Sequence, residues 1–437
     1  MAQLLAIRRF YPTRYWLLVA YGVGVPGFIK FDVTGRTHVF GLFNPYSISV
    51  VAFTLSCAAA FFAITFTSNT AVLQRKIRFH NSLWIALILV LVAATFANPK
   101  YNILLGLYRM FECFLLYLLL ASAYTREPRE SSTRLLRDLT MKVVNISIAF
   151  VLIGLVVYPS LAYTSPSEST GILENRLGGF IVYPNTLGLL AAVGLLHSLL
   201  YLKGGKRIRL IAFYGLILLF TVSRGNWVGL AIALIIYVVA TPSKRTKAFG
   251  IIGLLAGVAT SALFSQTILR VIERGNGEKG LKTLSDRTSV WITAWRAFRM
   301  RPWVGYGYVD GVKRILAQLY PFSYWTPPHC HNEILQALLS GGILCAVLVL
   351  IIYFVALFGF FRHLSRNPGN SDVLFFSLVF VLIVVHSVLG PILTGARTQI
   401  SLLLLVCCVA CFDALPMGAH SRSNKQWEST EMARAGA

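Results

Sequence analysis

Twelve apolar runs recur along this chain, at roughly 15–31, 47–67, 83–98, 102–122, 142–162, 179–202, 208–222, 226–241, 247–266, 335–361, 373–390 and 397–414. A helix of about 20 apolar residues crosses the hydrocarbon core of a bilayer. Inside that core only helices and closed barrels satisfy their own backbone. Composition points the same way, with 56% of the 437 residues hydrophobic and 13% charged, more apolar surface than a soluble domain can hide. The chain is thus expected to be an all-α polytopic membrane protein of about twelve transmembrane helices. A long outer loop, 266–332, separates the ninth helix from the tenth. The first run lacks a small-residue cleavage site behind a short apolar core and reads as a retained span. Residues 1–414 are expected to form one transmembrane domain that includes this loop, and 415–437 a disordered cytoplasmic tail.

A net charge of +24 raises the question of nucleic acid, and the placement of the charge answers it. Alternate connections hold Arg8, Arg9 and Arg14; Arg75, Lys76 and Arg78; Arg126 through Lys142; Lys203 through Arg209; Lys244, Arg245 and Lys247; Arg362 and Arg366; and the basic tail. The other connections are poorer in cations, the long loop apart. This is the positive-inside bias, and it sets both termini in the cytoplasm. The basicity is a topology signal, with membrane lipids and not nucleic acid as the implied surroundings. Cysteines fall mostly in or near spans, where a thiol is a small hydrophobe, and no disulfide framework is expected.

With that topology, Arg176, Arg224, Arg287, His329, His331 and Arg397 share the outer face, although long stretches of sequence separate them. Arg224 lies in SRGN between two apolar runs, where an ionised group is costly unless paired. Arg176 precedes Gly178-Gly179 and Tyr183-Pro184-Asn185, a broken helix start. Freed N–H groups beside a guanidinium suit a phosphate. Arg287 opens DRTSVWITAWRAF, which puts Trp291, Trp295 and Phe298 on one helical face, as an interfacial helix does. In PPHCHNEIL, His329 reads as a structural histidine. His331, ahead of Asn332 and a helix, suits proton removal near neutral pH. His329, Cys330 and His331 cannot all face one ion, and no paired carboxylates accompany them, so no metal or other cofactor is expected. Arginines for a diphosphate and a base for a hydroxyl together suggest group transfer from a lipid-linked diphosphate to an alcohol.

HNEILQALLSGGILC, His331 to Cys345, closely resembles the signature of the bacterial O-antigen ligase and polymerase superfamily, in which a His-Asn pair precedes nine residues and then Gly-x-x-Gly or a similar small residue. Here Cys345 takes the last position. RLGGFIVYPNTLG, SRGNWVGL, SDRTSVWITAW and RPWVGYGYVDG also match, as does the loop between spans nine and ten. The resemblance implies a GT-C-like membrane glycosyltransferase of the inner membrane, metal-independent and inverting, with a periplasmic site. His331 would be the catalytic base. Arg176 and Arg287 would bind the diphosphate of an undecaprenyl-linked glycan, supported by Arg224, while Asn332, His329 and Tyr306 would support the site. As a ligase it would hand O-antigen to lipid A–core in lipopolysaccharide biosynthesis. As a polymerase it would hand the growing chain to another lipid-linked repeat, and Arg296 and Gly307 stand at a spacing found in polymerases. A transporter of lipid-linked glycans is the reading from another class. It requires coupling carboxylates inside the spans, for which Glu112 is the main candidate.

Overall fold

The structure is a computed structural model that describes residues 78–100, 103–124, 129–164, 176–179, 181–241, 287–320, 327–366, 369–395 and 398–412, together with Trp16, Val19 and short helical pieces at 54–56 and 58–59. In chain order these form α1 (Arg78–Phe96), α2 (Ile103–Tyr124), α3 (Arg129–Val157), α4 (Pro159–Ala162), β1 (Tyr163–Thr164), β2 (Arg176–Leu177), α5 (Pro184–Tyr201), α6 (Gly204–Phe220), α7 (Arg224–Ala240), α8 (Arg287–Met300), α9 (Asp310–Leu319), α10 (Glu333–Arg366), α11 (Ser371–Ser387) and α12 (Gln399–Phe412). The two strands form a short antiparallel pair, Tyr163 opposite Leu177 and Thr164 opposite Arg176.

Each expected span that falls on described residues coincides with a helix. The runs 15–31, 47–67 and 247–266 lie outside the described residues, apart from the short pieces named above, as do Asp286, Arg397 and the tail. Among the described residues, Thr133–Val157, Pro184–Tyr201 and Glu333–Arg362 are long and apolar enough to cross a membrane, and Ser82–Phe96, Arg224–Ala240, Ser371–Ser387 and Gln399–Ala410 are shorter apolar helices. The protein is a helical membrane protein. Its outward side chains agree: Val156, Val239, Ile208 and Phe354 are 83%, 72%, 70% and 69% exposed. Apolar exposure on that scale suits lipid, not water.

At the centre, α5 packs on α6 and α11, and α11 on α7 and α12. Leu187 to Val193 on α5, Phe375, Phe376 and Phe380 on α11, and Leu402 to Cys408 on α12 fill the core. A smaller core joins Ala294 and Ala297 of α8 to Val312, Ile315 and Leu316 of α9, with Cys330 and Leu339 beneath.

Three local expectations need correction. The span expected at 142–162 starts earlier and ends sooner, as α3, Arg129–Val157. Its first turns are polar, which hydropathy does not count, and Arg137 there pairs with Asp372 at 2.7 Å. Pro159 restricts the residue before it and stops the helix. The span expected from 179 starts at Pro184, which is the first helical residue. There a missing N–H costs nothing, so Pro184 starts the helix and does not break it. The run at 335–361 belongs to α10, which is interrupted at Gly341 (φ −148°, ψ 22°) and Gly342 (φ 72°, ψ −165°).

Candidate functional site

Several helix ends meet through side chains that bond across connections. Arg176, just before the Gly178-Gly179 turn, donates from Nε to the Thr221 carbonyl (2.9 Å) and from Nη2 to Asn185 Oδ1 (2.5 Å), so it ties β2 to the α6–α7 turn and to the first turn of α5. Asn226 in the first turn of α7 donates to the Asn185 carbonyl (2.6 Å) and to Ser223 Oγ (2.9 Å). Both amide hydrogens of Asn226 are used this way, so its Oδ1 is an acceptor. His386 Nδ1, 3.1 Å away, is therefore the donor to it. Gly188 of α5 makes this contact possible, since a β-carbon there would meet Asn226 Nδ2 at 2.7 Å and Thr221 Oγ1 at 2.8 Å.

Three arginines share this space. Burial pulls the Arg176 pKa below the usual guanidinium value; the Tyr183 hydroxyl, which Arg176 bonds, opposes this, while the charges of Arg287 and Arg224 add to it. Burial likewise lowers Arg287, with Tyr183 opposing and Arg224 adding. Their charges reach one another across more than a hundred residues of sequence. Arg224 and Arg287 are the first residues of α7 and α8, and no acidic residue occupies the first turn of α5, α7 or α8. The result is a cationic recess at helix N-termini, where free N–H groups and helix dipoles favour an anion.

His331 stands beside it, at the foot of α10. Burial first, then His329, then Arg287 hold its pKa down at about 2, far below the ordinary histidine value. The imidazole is neutral at physiological pH. His331 itself has φ 52°, left-handed for a residue with a side chain. Its backbone N–H donates to His329 Nδ1 at 3.1 Å, which leaves the proton of the neutral His329 ring on Nε2, and the two rings meet edge-on at 4.1 Å. His329 is thus a brace for His331. Asn332 caps α10 by accepting from the Leu335 N–H (3.0 Å), and its Nδ2 donates to the Val388 carbonyl (3.2 Å). Tyr306 is 2% exposed and its hydroxyl donates to the Ala297 carbonyl at 2.8 Å, so it supports α8 from beneath.

The interruption of α10 is where the long loop docks. Tyr306 N–H and Gly307 N–H donate to the carbonyls of Leu339 (2.7 Å) and Ser340 (3.2 Å), and Ile343 N–H donates to the Pro302 carbonyl (2.9 Å). The backbone groups freed by the break are satisfied by the loop. Arg301 reinforces the joint by donating to Asn98 Oδ1 at 2.5 Å, while Asn98 Nδ2 reaches the Gly305 carbonyl at 3.4 Å. Gly305–Gly307 makes this docking, and the small residues after His-Asn serve it: Cys345 is fully buried, 2.9 Å from where a β-carbon on Gly341 would lie. Arg296 is exposed on α8, and Gly307 belongs to the joint.

Sequence reasoning missed Tyr183, Asn185, Asn226, His386 and Glu333. A tyrosine beside the helix-starting proline could have been suspected of holding Arg176, but nothing in the pattern distinguishes the others from ordinary helix-end polar residues. Among the described residues, no three His, Cys, Asp or Glu side chains come together in a way that could hold a metal ion. Glu112, the carboxylate that transport would need, is fully buried and bonded to Arg109 of its own helix at 2.8 Å. Comparison with curated proteins and with solved structures finds no match. Over residues 210–350, which hold Arg224, Arg287 and His331 together with α8, α9 and the first part of α10, the chain matches the family described as O-Antigen ligase.

Proposed function

We propose that this protein is a glycosyltransferase that moves O-antigen polysaccharide from undecaprenyl diphosphate to a hydroxyl of lipid A–core, at the periplasmic face of the inner membrane. The observation that carries the reading is the cationic recess of Arg176, Arg224 and Arg287 beside a neutral His331. Three guanidinium groups held together repel one another, and a diphosphate relieves that repulsion with charge-assisted bonds. Twelve spans with both termini cytoplasmic complete the reading.

His331 takes the proton of the acceptor hydroxyl. The oxygen attacks the anomeric carbon from the side opposite the diphosphate, the carbon–oxygen bond to phosphorus breaks, and the lipid diphosphate leaves with its charge held by the arginines. Inversion follows from that single displacement, and no metal takes part. A base held as low as His331 is a weak one. A diphosphate seated against Arg287 offsets that cation and raises the imidazole towards its working range. The base thus gains strength when the donor is in place.

The test is purified protein with an undecaprenyl diphosphate-linked glycan and either lipid A–core or a second lipid-linked repeat. Glycan on lipid A–core is the expected product. Extension of the lipid-linked repeat identifies a polymerase instead, and no transfer to either acceptor overturns the enzymatic reading.

A further inference from the structure

We infer that Glu333 is a positioning residue for His331, its buried carboxylate fixing the start of α10 to the α11–α12 turn; the inference rests on the reading of His331 as the base. Glu333 is 2% exposed. Its Oε2 accepts from the backbone N–H groups of Ile392 and of Leu393 (3.0 Å), and its Oε1 from the N–H (2.9 Å) and hydroxyl (2.6 Å) of Thr394. A carboxylate accepts at about four lone-pair sites, and four donors fill them. An acceptor so occupied and so buried has no means of exchanging a proton with substrate. It acts through geometry.

The turn it grips is itself held. Ser401 Oγ donates to the Ile392 carbonyl at 2.7 Å, and the Tyr308 hydroxyl to the Gly395 carbonyl at 2.8 Å. Asn332 adds a second tie to the same connection, at Val388. Between these ties and the loop that docks at the break in α10, His331 keeps its left-handed backbone, a conformation that persists only where the surroundings over-determine it. Without the carboxylate, the first turn of α10 is free to relax, and the imidazole moves relative to the arginines. A displacement of about 1 Å at a reacting group costs on the order of a hundredfold in rate.

The experiment compares wild type, Glu333→Gln, Thr394→Ala and the double variant in the transfer assay with undecaprenyl diphosphate-linked glycan, alongside thermal unfolding of each protein. Glu333→Gln turns an NH2 towards backbone donors. It is expected to lower kcat by roughly 10- to 100-fold and leave the donor KM within about twofold, because no arginine is touched. Thr394→Ala should lower kcat by less, and the double variant should be no worse than Glu333→Gln alone, as for residues in one network. A folded Glu333→Gln with wild-type kcat, or with its loss in KM, overturns the inference while leaving the function intact. If Glu333→Gln does not fold, Thr394→Ala decides, and an unchanged kcat overturns it. Wild-type protein that transfers to neither acceptor overturns the function, and this inference with it.

Discussion

Replacing Gly342 with alanine perturbs the joint where the segment between α8 and α9 docks on α10. The added β-carbon would lie 2.2 Å from the Trp303 carbonyl oxygen, 2.4 Å from its carbon and 2.7 Å from the Pro302 oxygen. These are backbone atoms, so no side chain can swing aside. Gly342 also has φ 72° and ψ −165°, a region that costs a residue with a side chain about 1–3 kcal/mol. Relieving the contact moves 302–303 away and breaks the Ile343 N–H bond to the Pro302 carbonyl, leaving a half-buried backbone group unsatisfied for about another 1–3 kcal/mol. The total, about 2–6 kcal/mol, is a large share of an ordinary folding free energy of about 5–15 kcal/mol. Gly215→Ala in α6 is the control, since nothing lies within 4 Å of its β-carbon position. Alanine in a helix interior is better than glycine by about 1 kcal/mol. Thermal unfolding in detergent should show Gly342→Ala melting well below wild type and Gly215→Ala at or slightly above it. Because α8 enters this joint, surviving Gly342→Ala should also bind donor more weakly through a displaced Arg287. A Gly342→Ala protein that melts with Gly215→Ala would refute the claim that backbone contact locks the break.

The remaining outcomes concern the recess. His331→Ala should abolish transfer, by at least about a hundredfold, while donor binding persists; transfer near wild type would remove the imidazole from the chemistry. Arg176→Lys should weaken donor affinity by about tenfold, because an ammonium cannot hold both the Thr221 carbonyl and Asn185 in a planar fork; unchanged affinity in a titration with lipid-linked donor would count against that fork. For pH, the folded value of His331 lies at about 2, below its ordinary value of 6.5, so the contribution to stability is present above 6.5 and declines as pH falls below it. The acidic limb of kcat/KM should accordingly lie well below 6.5, and Arg287→Ala, which removes a cation, should move it upward; a limb at 6.5 in wild type would refute the buried neutral base. Transfer should survive excess chelator, and loss restored by an added divalent ion would refute the metal-independent mechanism.

What the sequence made legible follows from the physics that writes it. Apolar length reports burial in lipid, so α1, α2, α5, α6, α7, α10, α11 and α12 stand where runs predict them. A cation stranded between two such runs is costly, so Arg224 was conspicuous. Hydropathy is blind to partners. Glu333 opening an apolar helix reads as an ordinary acidic first turn, and only the fold brings Ile392 to Thr394 against it. Gly341-Gly342 reads as small-residue packing, because a break that the loop satisfies leaves no mark on apolar periodicity. The polar half of α3 disappeared for the opposite reason: it is tied to α11 by Arg137 pairing with Asp372, which hydropathy does not count.

The recess is assembled from choices that local energetics disfavours, and they coincide. A cation at a helix N-terminus opposes the macrodipole by about 0.3–1 kcal/mol, yet Arg224 begins α7 and Arg287 begins α8. Left-handed backbone is uncommon for a histidine and an outlier for a β-branched residue, yet His331 has φ 52° and Val222, two residues before Arg224, has φ 47°. Anchoring charges on lipid-facing helices do not require either feature, for an arginine meant only to reach head groups gains nothing from a helix N-terminus or from neighbours of its own sign. On the proposed reading, an anionic donor would meet the dipoles of α5, α7 and α8 and the guanidinium groups at once. The bonds around the recess, from Asn226 to Asn185 and from Glu333 to the α11–α12 turn, hold it open against its own repulsion. Arg176 is itself part of that bracing, through the Thr221 carbonyl and Asn185.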